Sequence, residues 1–193
     1  MTGVDADAER AKIALHKSDK ASAQRIIKEI LEVDKTHCSA LKTQATLWQS
    51  SGKFADALRS AQRASSECPD QPRLWQLTAE IYSAMDDDSN ARRVFGQGIE
   101  ANKQSSKLTR AYAEFLVAEN SNREAVSIAR KLTRSAPALN SGWRLYAMIC
   151  AKTRSSCIAE AQLGLADAQT RFYVDLLPGE LPPNGLFGRL VTR

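Results

Sequence analysis

The sequence predicts an all-α chain in which five helical hairpins stack into a solenoid. The main observation is a period of about 34 residues, at which alanine recurs in two columns of five. A second observation is a tail rich in proline and glycine, which cannot continue this period. The first column holds Ala11, Ala45, Ala79, Ala113 and Ala147, and the second holds Ala23, Ala57, Ala91, Ala125 and Ala159.

The repeating unit is clearest between Trp48 and Pro69. It contains the end of one helix, a turn at Gly52 and a second helix in which Ala57 and Ala64 recur at helical spacing. Small side chains allow two helices to approach closely, and large side chains fill the gaps beside them. Each unit is therefore expected to be one pair of helices packed on each other.

Taken in order, the period predicts ten helices. Asp7 and Arg10 make the first helix polar, as expected at the end of an array that meets water. Pro72 predicts the start of a helix, because proline is tolerated in the first turn, where its missing N–H group would have no partner within the helix. Asn120 stands at a turn, where asparagine tolerates a positive φ. The predicted helices are 5–17, 21–33, 39–50, 54–66, 74–85, 89–101, 107–118, 123–135, 141–153 and 156–169.

The second unit resembles the tetratricopeptide repeat (TPR), a helical hairpin whose period is about 34 residues. The residues that carry the resemblance are Leu41, Ala45, Trp48, Gly52, Phe54, Ala57, Ala64 and Pro69. The resemblance implies a right-handed α-solenoid over residues 4–171, and its repeats are 4–37, 38–71, 72–105, 106–139 and 140–173. It implies little about function, because many unrelated activities share this scaffold.

Residues 172–193 are expected to form a non-helical C-terminal extension. Pro178 and Pro182 break the helical period, yet the segment holds too many apolar residues for a disordered linker. We expect residues 172–177 to fold back over the open end of the last repeat and cap it. The alternative is that residues 185–193 dock onto another protein.

Charge is unevenly distributed along the chain. Residues 1–100 carry 14 Lys and Arg against 15 Asp and Glu, whereas residues 101–193 carry 13 against 7. The basic excess therefore belongs to the second half. No run of 18 apolar residues predicts a membrane span, and the first ten residues lack the apolar core of a signal peptide. The sequence as given predicts a cytoplasmic location, with the periplasm as the alternative if a leader has been removed.

The sequence contains no catalytic motif, so we predict neither an enzyme nor a cofactor. Neither histidine has a second ligand at metal spacing, and no phosphate-binding loop or nucleophile elbow occurs. Cys150 and Cys157 flank a predicted turn and are a candidate disulfide, although the lack of a secretory signal favours free thiols. Cys38 and Cys68 are expected to be small buried thiols.

In the TPR family the first helix of each repeat lines a concave groove, and the resemblance carries these positions onto this chain. The candidate groove residues are Lys42, Arg73, Gln76, Lys107, Arg110 and Arg144. Because arginine binds carboxylates through two parallel hydrogen bonds, the expected partner is an extended protein segment that is acidic or ends in a free carboxylate. Thr46, Leu77 and Ala111 stand where chaperone-binding members use asparagine and arginine, so chaperone tails are not expected ligands.

The sequence therefore predicts a non-enzymatic scaffold or adaptor for protein–protein interaction. One alternative is a helper or regulatory subunit of a bacterial envelope-assembly or secretion complex, for which the apolar tail is the discriminating feature. Nucleic-acid binding through the basic C-terminal half ranks lower, because Trp143 and Tyr146 occupy packing columns and are not free to stack on bases.

Overall fold

The computed structural model describes residues 3–103, 105–135, 137, 140–154 and 156–176. This part of the chain contains ten α-helices and confirms the predicted all-α fold. None of the helices described is both long and apolar enough to cross a membrane. The helices are α1 (Gly3–His16), α2 (Lys20–Val33), α3 (Cys38–Gln49), α4 (Phe54–Glu67), α5 (Pro72–Ala84), α6 (Asp88–Ala101), α7 (Ser106–Ala118), α8 (Asn122–Ser135), α9 (Asn140–Lys152) and α10 (Ile158–Leu176).

The chain divides into two compact units, an N-terminal unit (Met1–Tyr112) and a C-terminal unit (Ala113–Arg193), with the boundary inside α7. In the N-terminal unit the two helices of each hairpin pack together, and α3 also contacts both α1 and α5. In the C-terminal unit α9 packs against both α8 and α10. The first helices of the N-terminal hairpins therefore lie side by side, as a groove requires.

The turn within each hairpin contains one residue in the left-handed region of backbone conformation. These residues recur at the period of the repeat: Ser18 (φ 61°), Gly52 (φ 72°), Asp86 (φ 58°), Asn120 (φ 60°) and Arg154 (φ 49°). The turn predicted at Asn120 is confirmed. Asp and Asn accept this conformation more readily than most residues, so glycine can be replaced by them in the third and fourth repeats.

Eight of the ten column alanines are fully buried. Ala11, Ala45, Ala79 and Ala113 of the first column have no exposed surface, and neither do Ala23, Ala57, Ala91 and Ala125 of the second. Their small side chains allow the paired helices to approach, as the sequence predicts. The fifth member of each column differs, since Ala147 is only partly buried and Ala159 is exposed. The prediction that Ala159 packs between helices is wrong.

A two-residue insertion explains the exposure of Ala159. The second helices of the first four hairpins start one period apart, at Lys20, Phe54, Asp88 and Asn122, whereas α10 starts two residues later than this period predicts. The left-handed turn residue Arg154 keeps its place in the period, so the extra residues follow it. As a result Ala161, which has no exposed surface, takes the buried position. Its N–H donates to the carbonyl of Cys157 at 3.0 Å, as that of Ala125 does to Ser121 at 3.0 Å.

Helix α10 is also longer than the sequence predicts. It continues to Leu176, so residues 172–176 are helical and the expected non-helical extension does not begin at Phe172. The physical reason is that the first helix-breaking residue is Pro178, and a proline disturbs only the residues close to it. The remainder of the predicted extension, residues 177–193, lies outside the described residues.

Candidate functional site

The candidate groove in the N-terminal unit is formed by one face of α1, α3 and α5. On α3 this face carries Ser39, Lys42, Thr46 and Gln49, all of them partly buried. The spacing of three or four residues places these side chains on one side of the helix. Because α3 contacts both neighbouring first helices, its side chains stand at the centre of the face.

Lys42 is the central cation of this face. Burial lowers the pKa of the Lys42 ammonium below its ordinary value, and the nearby charges of Lys12 and Arg73 lower that pKa further. Glu9 acts on it in the opposite direction and more weakly. In the described part of the chain no acidic side chain forms an ion pair with Lys42. The groove thus holds a half-buried positive charge with two cations for neighbours.

The other cations of the N-terminal groove have acidic partners. The Arg73 guanidinium lies 3.8 Å from the Glu80 carboxylate, to which the Gln76 amide donates a hydrogen bond of 2.7 Å. Lys12 forms an ion pair with Glu9 one turn away on α1. These pairs leave Lys42 as the groove position where an incoming anion would meet least competition from the protein's own carboxylates.

The remaining predicted groove residues lie further along the chain. Lys107 and Arg110 are both exposed and, three residues apart, share one face of α7 in the N-terminal unit. Arg144 is exposed on α9 and belongs to the C-terminal unit. The structure thus brings Lys42, Arg73 and Gln76 to one surface, while a role in peptide binding stays a prediction for all six residues.

Two polar groups lie near the start of α3: Ser39, a position of the predicted groove, and His37, which was not identified from the sequence as a helix cap. The buried Oγ of Ser39, one turn before Lys42, has no hydrogen-bond partner among the residues described. His37 precedes the helix and its Nδ1 accepts a hydrogen bond from the N–H of Ala40 at 3.2 Å. Its Nε2 lies 3.5 Å from Asp5 on α1. The position of His37 immediately before a helix is the signal that could have identified it as a cap.

All four cysteines lie in pairs. Cys150 and Cys157 are joined as a disulfide with their Cα atoms 5.6 Å apart, and the inserted residues place Cys157 at the start of α10. Cys38 and Cys68 are also joined, with Cα atoms 6.4 Å apart, so the expectation of two separate buried thiols is wrong. The two come together because α3 begins where its hairpin partner α4 ends. The oxidation state of the Cys150–Cys157 pair in solution stays a prediction.

In the C-terminal unit three polar side chains form an internal network. Arg130 on α8 donates to the Tyr146 hydroxyl at 2.8 Å and to the Glu160 carboxylate at 2.7 Å, and that hydroxyl donates to Glu160 at 2.9 Å. The hydrogen bond from Arg130 to Tyr146 raises the pKa of Arg130, and burial raises the pKa of Tyr146. Trp143 donates to the carbonyl of Pro137 at 2.8 Å. The two aromatic residues are therefore engaged within the unit.

Comparisons with known proteins identify the same fold. The family model of the ChAPs (Chs5p-Arf1p-binding proteins) matches residues 4–94, and no curated protein sequence matches the chain. The solved structure of the MamA protein is 13% identical, with a TM-score of 0.60, over 93% of this chain and 98% of that one. YrrB, a TPR protein with an unusual peptide-binding site, is 15% identical, with a TM-score of 0.55, over 88% of each chain.

The TPR domain of Sgt2 from Aspergillus fumigatus is 20% identical, with a TM-score of 0.55, over 64% of this chain and 83% of that domain. An O-GlcNAc transferase from Thermobaculum terrenum also matches, but over only 26% of its own length. At these identities the likeness shows the fold alone, because one fold hosts many unrelated functions. It gives no positive evidence of catalysis.

Proposed function

We propose, with the tetratricopeptide-repeat fold as the premise, that this chain is a non-enzymatic scaffold that binds an extended acidic segment of another protein. The segment would lie across the first helices, on the face that carries Lys42, Arg73 and Gln76. The observation that carries the proposal is the half-buried ammonium of Lys42, which has cationic neighbours and no acidic partner in the described part of the chain.

A carboxylate from a partner would stabilise this arrangement electrostatically. It would offset the repulsion among Lys42, Lys12 and Arg73, and at a half-buried site that attraction is screened less than on an open surface. The Arg73 guanidinium could exchange its long 3.8 Å contact with Glu80 for a bidentate contact with the ligand. The Gln76 amide would then help to orient the peptide.

The predicted residues Lys107 and Arg110, which belong to the same unit, supply candidate contacts for the rest of the segment, and Arg144 in the C-terminal unit stays a separate prediction. Each stands on a first helix at the sequence position that corresponds to Ser39 or Lys42. A row of cations along successive first helices would favour a ligand with several carboxylates in extended conformation over one with a single negative charge.

The test uses a fluorescein-labelled peptide of four Ser-Glu pairs and a matched peptide of four Ser-Lys pairs. Fluorescence anisotropy should show binding of the acidic peptide alone, weakening with added salt. Lys42→Glu should reduce the affinity by roughly tenfold or more, since it replaces a cation by an anion at the centre of the face. Lys35→Glu, at an exposed lysine in the connector after α2, is the matched control and should bind as the wild type does.

Two results would contradict the proposal. One is equal binding of the acidic peptide by the wild type and by Lys42→Glu, with both proteins equally helical by circular dichroism. The other is equal binding of the Ser-Glu and Ser-Lys peptides, since a cationic groove must discriminate between them.

A further inference from the structure

A second surface of the N-terminal unit lies on the side of α3 that faces away from the groove. Leu41, Gln44 and Trp48 each follow a groove position by two residues, which is roughly 200° around the helix. They form the floor of a cleft between α2 and α4, the second helices of the first two hairpins. We call this surface the Trp48 cleft.

The Trp48 cleft consists of two adjoining cavities, each of about 350 Å³. Both cavities are lined by Gln44 and Trp48, so these residues stand where the two meet. The α2 wall extends from Gln24 to Glu32, roughly 12 Å of helix. This length matches three or four residues of extended peptide.

Trp48 differs from the other two tryptophans in its hydrogen bonding. The indole N–H of Trp75 donates to Pro69 and that of Trp143 to Pro137, both at 2.8 Å. Within the described residues the indole N–H of Trp48 has no protein acceptor, although the ring is partly buried and has the Lys53 ammonium 4.9 Å from its centroid. The Trp48 indole nitrogen is not among the buried unpaired atoms of the described residues, so its N–H is accessible and can donate to an acceptor on a ligand.

The cleft also contains carboxylates, Asp56 and Glu32, but each lies beside a cation of its own helix, and the polar groups left over are donors. Gln44 uses its amide oxygen to accept a hydrogen bond from Ser60 at 2.8 Å, which leaves the amide nitrogen to donate. Arg59 is paired with Asp56 at 2.8 Å, but Arg63, one turn further along α4, pairs with no acidic side chain in the part of the chain described. On the opposite wall Lys28 lies 3.7 Å from Glu32, so those two charges offset each other.

We infer that the Trp48 cleft binds a short segment of another protein in which an apolar side chain stands beside a carboxylate. The apolar side chain would pack on the partly exposed surfaces of Trp48 and Leu31, and the carboxylate would pair with Arg63. Backbone carbonyls of the segment would accept hydrogen bonds from Trp48 and Gln44. This site is separate from the groove. Its ligand must carry an apolar side chain, whereas a ligand of the groove needs only carboxylates.

The test follows the indole N–H resonances of the full chain by ¹H–¹⁵N NMR, with Trp48 assigned from the signal lost in Trp48→Phe. The probe is the peptide acetyl-Ser-Leu-Glu-Leu-Asp-Ser-amide. The two matched peptides replace its acidic residues by lysine or its leucines by serine. We expect a saturable shift of the Trp48 signal with the first peptide only. Arg63→Glu should weaken that binding by roughly tenfold or more, whereas Arg73→Glu in the groove should not change it.

The inference would be overturned by a Trp48 signal that stays in place at millimolar probe, or that moves equally with the lysine peptide. It would also be overturned if Arg73→Glu removed the shift and Arg63→Glu did not, since the probe would then occupy the groove. The groove proposal fails separately, when Lys42→Glu still binds the Ser-Glu peptide. The remaining backbone resonances of each variant show whether it is folded.

Discussion

The two units of this chain are built from the same hairpin but use their charged side chains differently. In the N-terminal unit Lys42 and Arg63 have no acidic partner among the described residues, on opposite sides of the hairpin formed by α3 and α4. In the C-terminal unit Arg130 is held by both Tyr146 and Glu160 and links α8, α9 and α10. Arg130 thus holds three helices together inside its unit, whereas Lys42 and Arg63 are the cations on which the two proposed binding sites rest.

The units also differ in regularity. The hairpins of the N-terminal unit keep a constant period, whereas the last hairpin of the C-terminal unit carries two extra residues. The insertion changes which face of α10 is buried, and the same change brings Glu160 to Tyr146 and Cys157 to Cys150. The irregular hairpin thus carries a disulfide and a hydrogen bond between its helices in addition to the buried Ala161.

The largest expected effect tests the shifted register of α10. Ala161→Phe should destabilise the protein by about 3 kcal/mol, because an aromatic ring cannot fit where the alanine has no exposed surface. Ala159→Phe, two residues away on the same helix, should change stability by less than about 0.5 kcal/mol, because Ala159 is exposed. Thermal unfolding followed by circular dichroism measures both changes in stability. A larger loss of stability for Ala159→Phe would show that α10 follows the unshifted period and that Ala159 is the buried residue.

A smaller loss of stability is expected when one tyrosine hydroxyl is removed from each unit. Tyr146→Phe removes a buried hydroxyl that bonds both Arg130 and Glu160 and should cost about 1 kcal/mol. Tyr82→Phe removes a single hydrogen bond, from the Gln62 amide at 2.7 Å, and should cost about 0.5 kcal/mol, since the exposed amide can turn to water. Urea unfolding gives both values. Equal losses would mean that the three-residue network is no stronger than one ordinary hydrogen bond.

The smallest expected effect is the loss of stability at acidic pH through Asp19. Hydrogen bonds from Ser22, first from its backbone N–H, lower the pKa of Asp19, which caps α2. A carboxyl whose pKa is lower in the folded state contributes stability above its unfolded pKa of about 3.9, and loses it as the pH falls through the folded value. In the C-terminal unit Ser121 and Cys157 occupy the equivalent positions of α8 and α10, and neither is a carboxylate.

Asp19→Asn keeps a capping side chain but removes this titration. Melting temperatures of the variant and the wild type should therefore converge between pH 5 and pH 3, with the wild type slightly more stable at the upper end. A constant difference across that range would show that the carboxylate charge of Asp19 contributes nothing to the cap.

Much of the fold could be read from residues that recur. Gly52, Asp86 and Asn120 mark turns because few other residues tolerate a positive φ, and Ala57 marks a close helix contact because nothing larger fits. Part of the candidate groove could be predicted for a similar reason, since the positions that share one face of a helix follow from the helical period. The sequence does not show which cation of the groove lacks an acidic partner. Arg73 pairs with Glu80 and Lys12 with Glu9, and both pairs depend on side-chain geometry.

The sequence by itself determined the number of hairpins, their turns and the small residues between paired helices, because each depends on local backbone conformation or on a regular period. Only the tertiary structure decided the register of α10, the pairing of Cys38 with Cys68 and the isolation of Lys42 and Trp48. These depend on distances between groups far apart in the chain. The register of α10 also reflects an insertion of two residues, which a search for a single period does not detect.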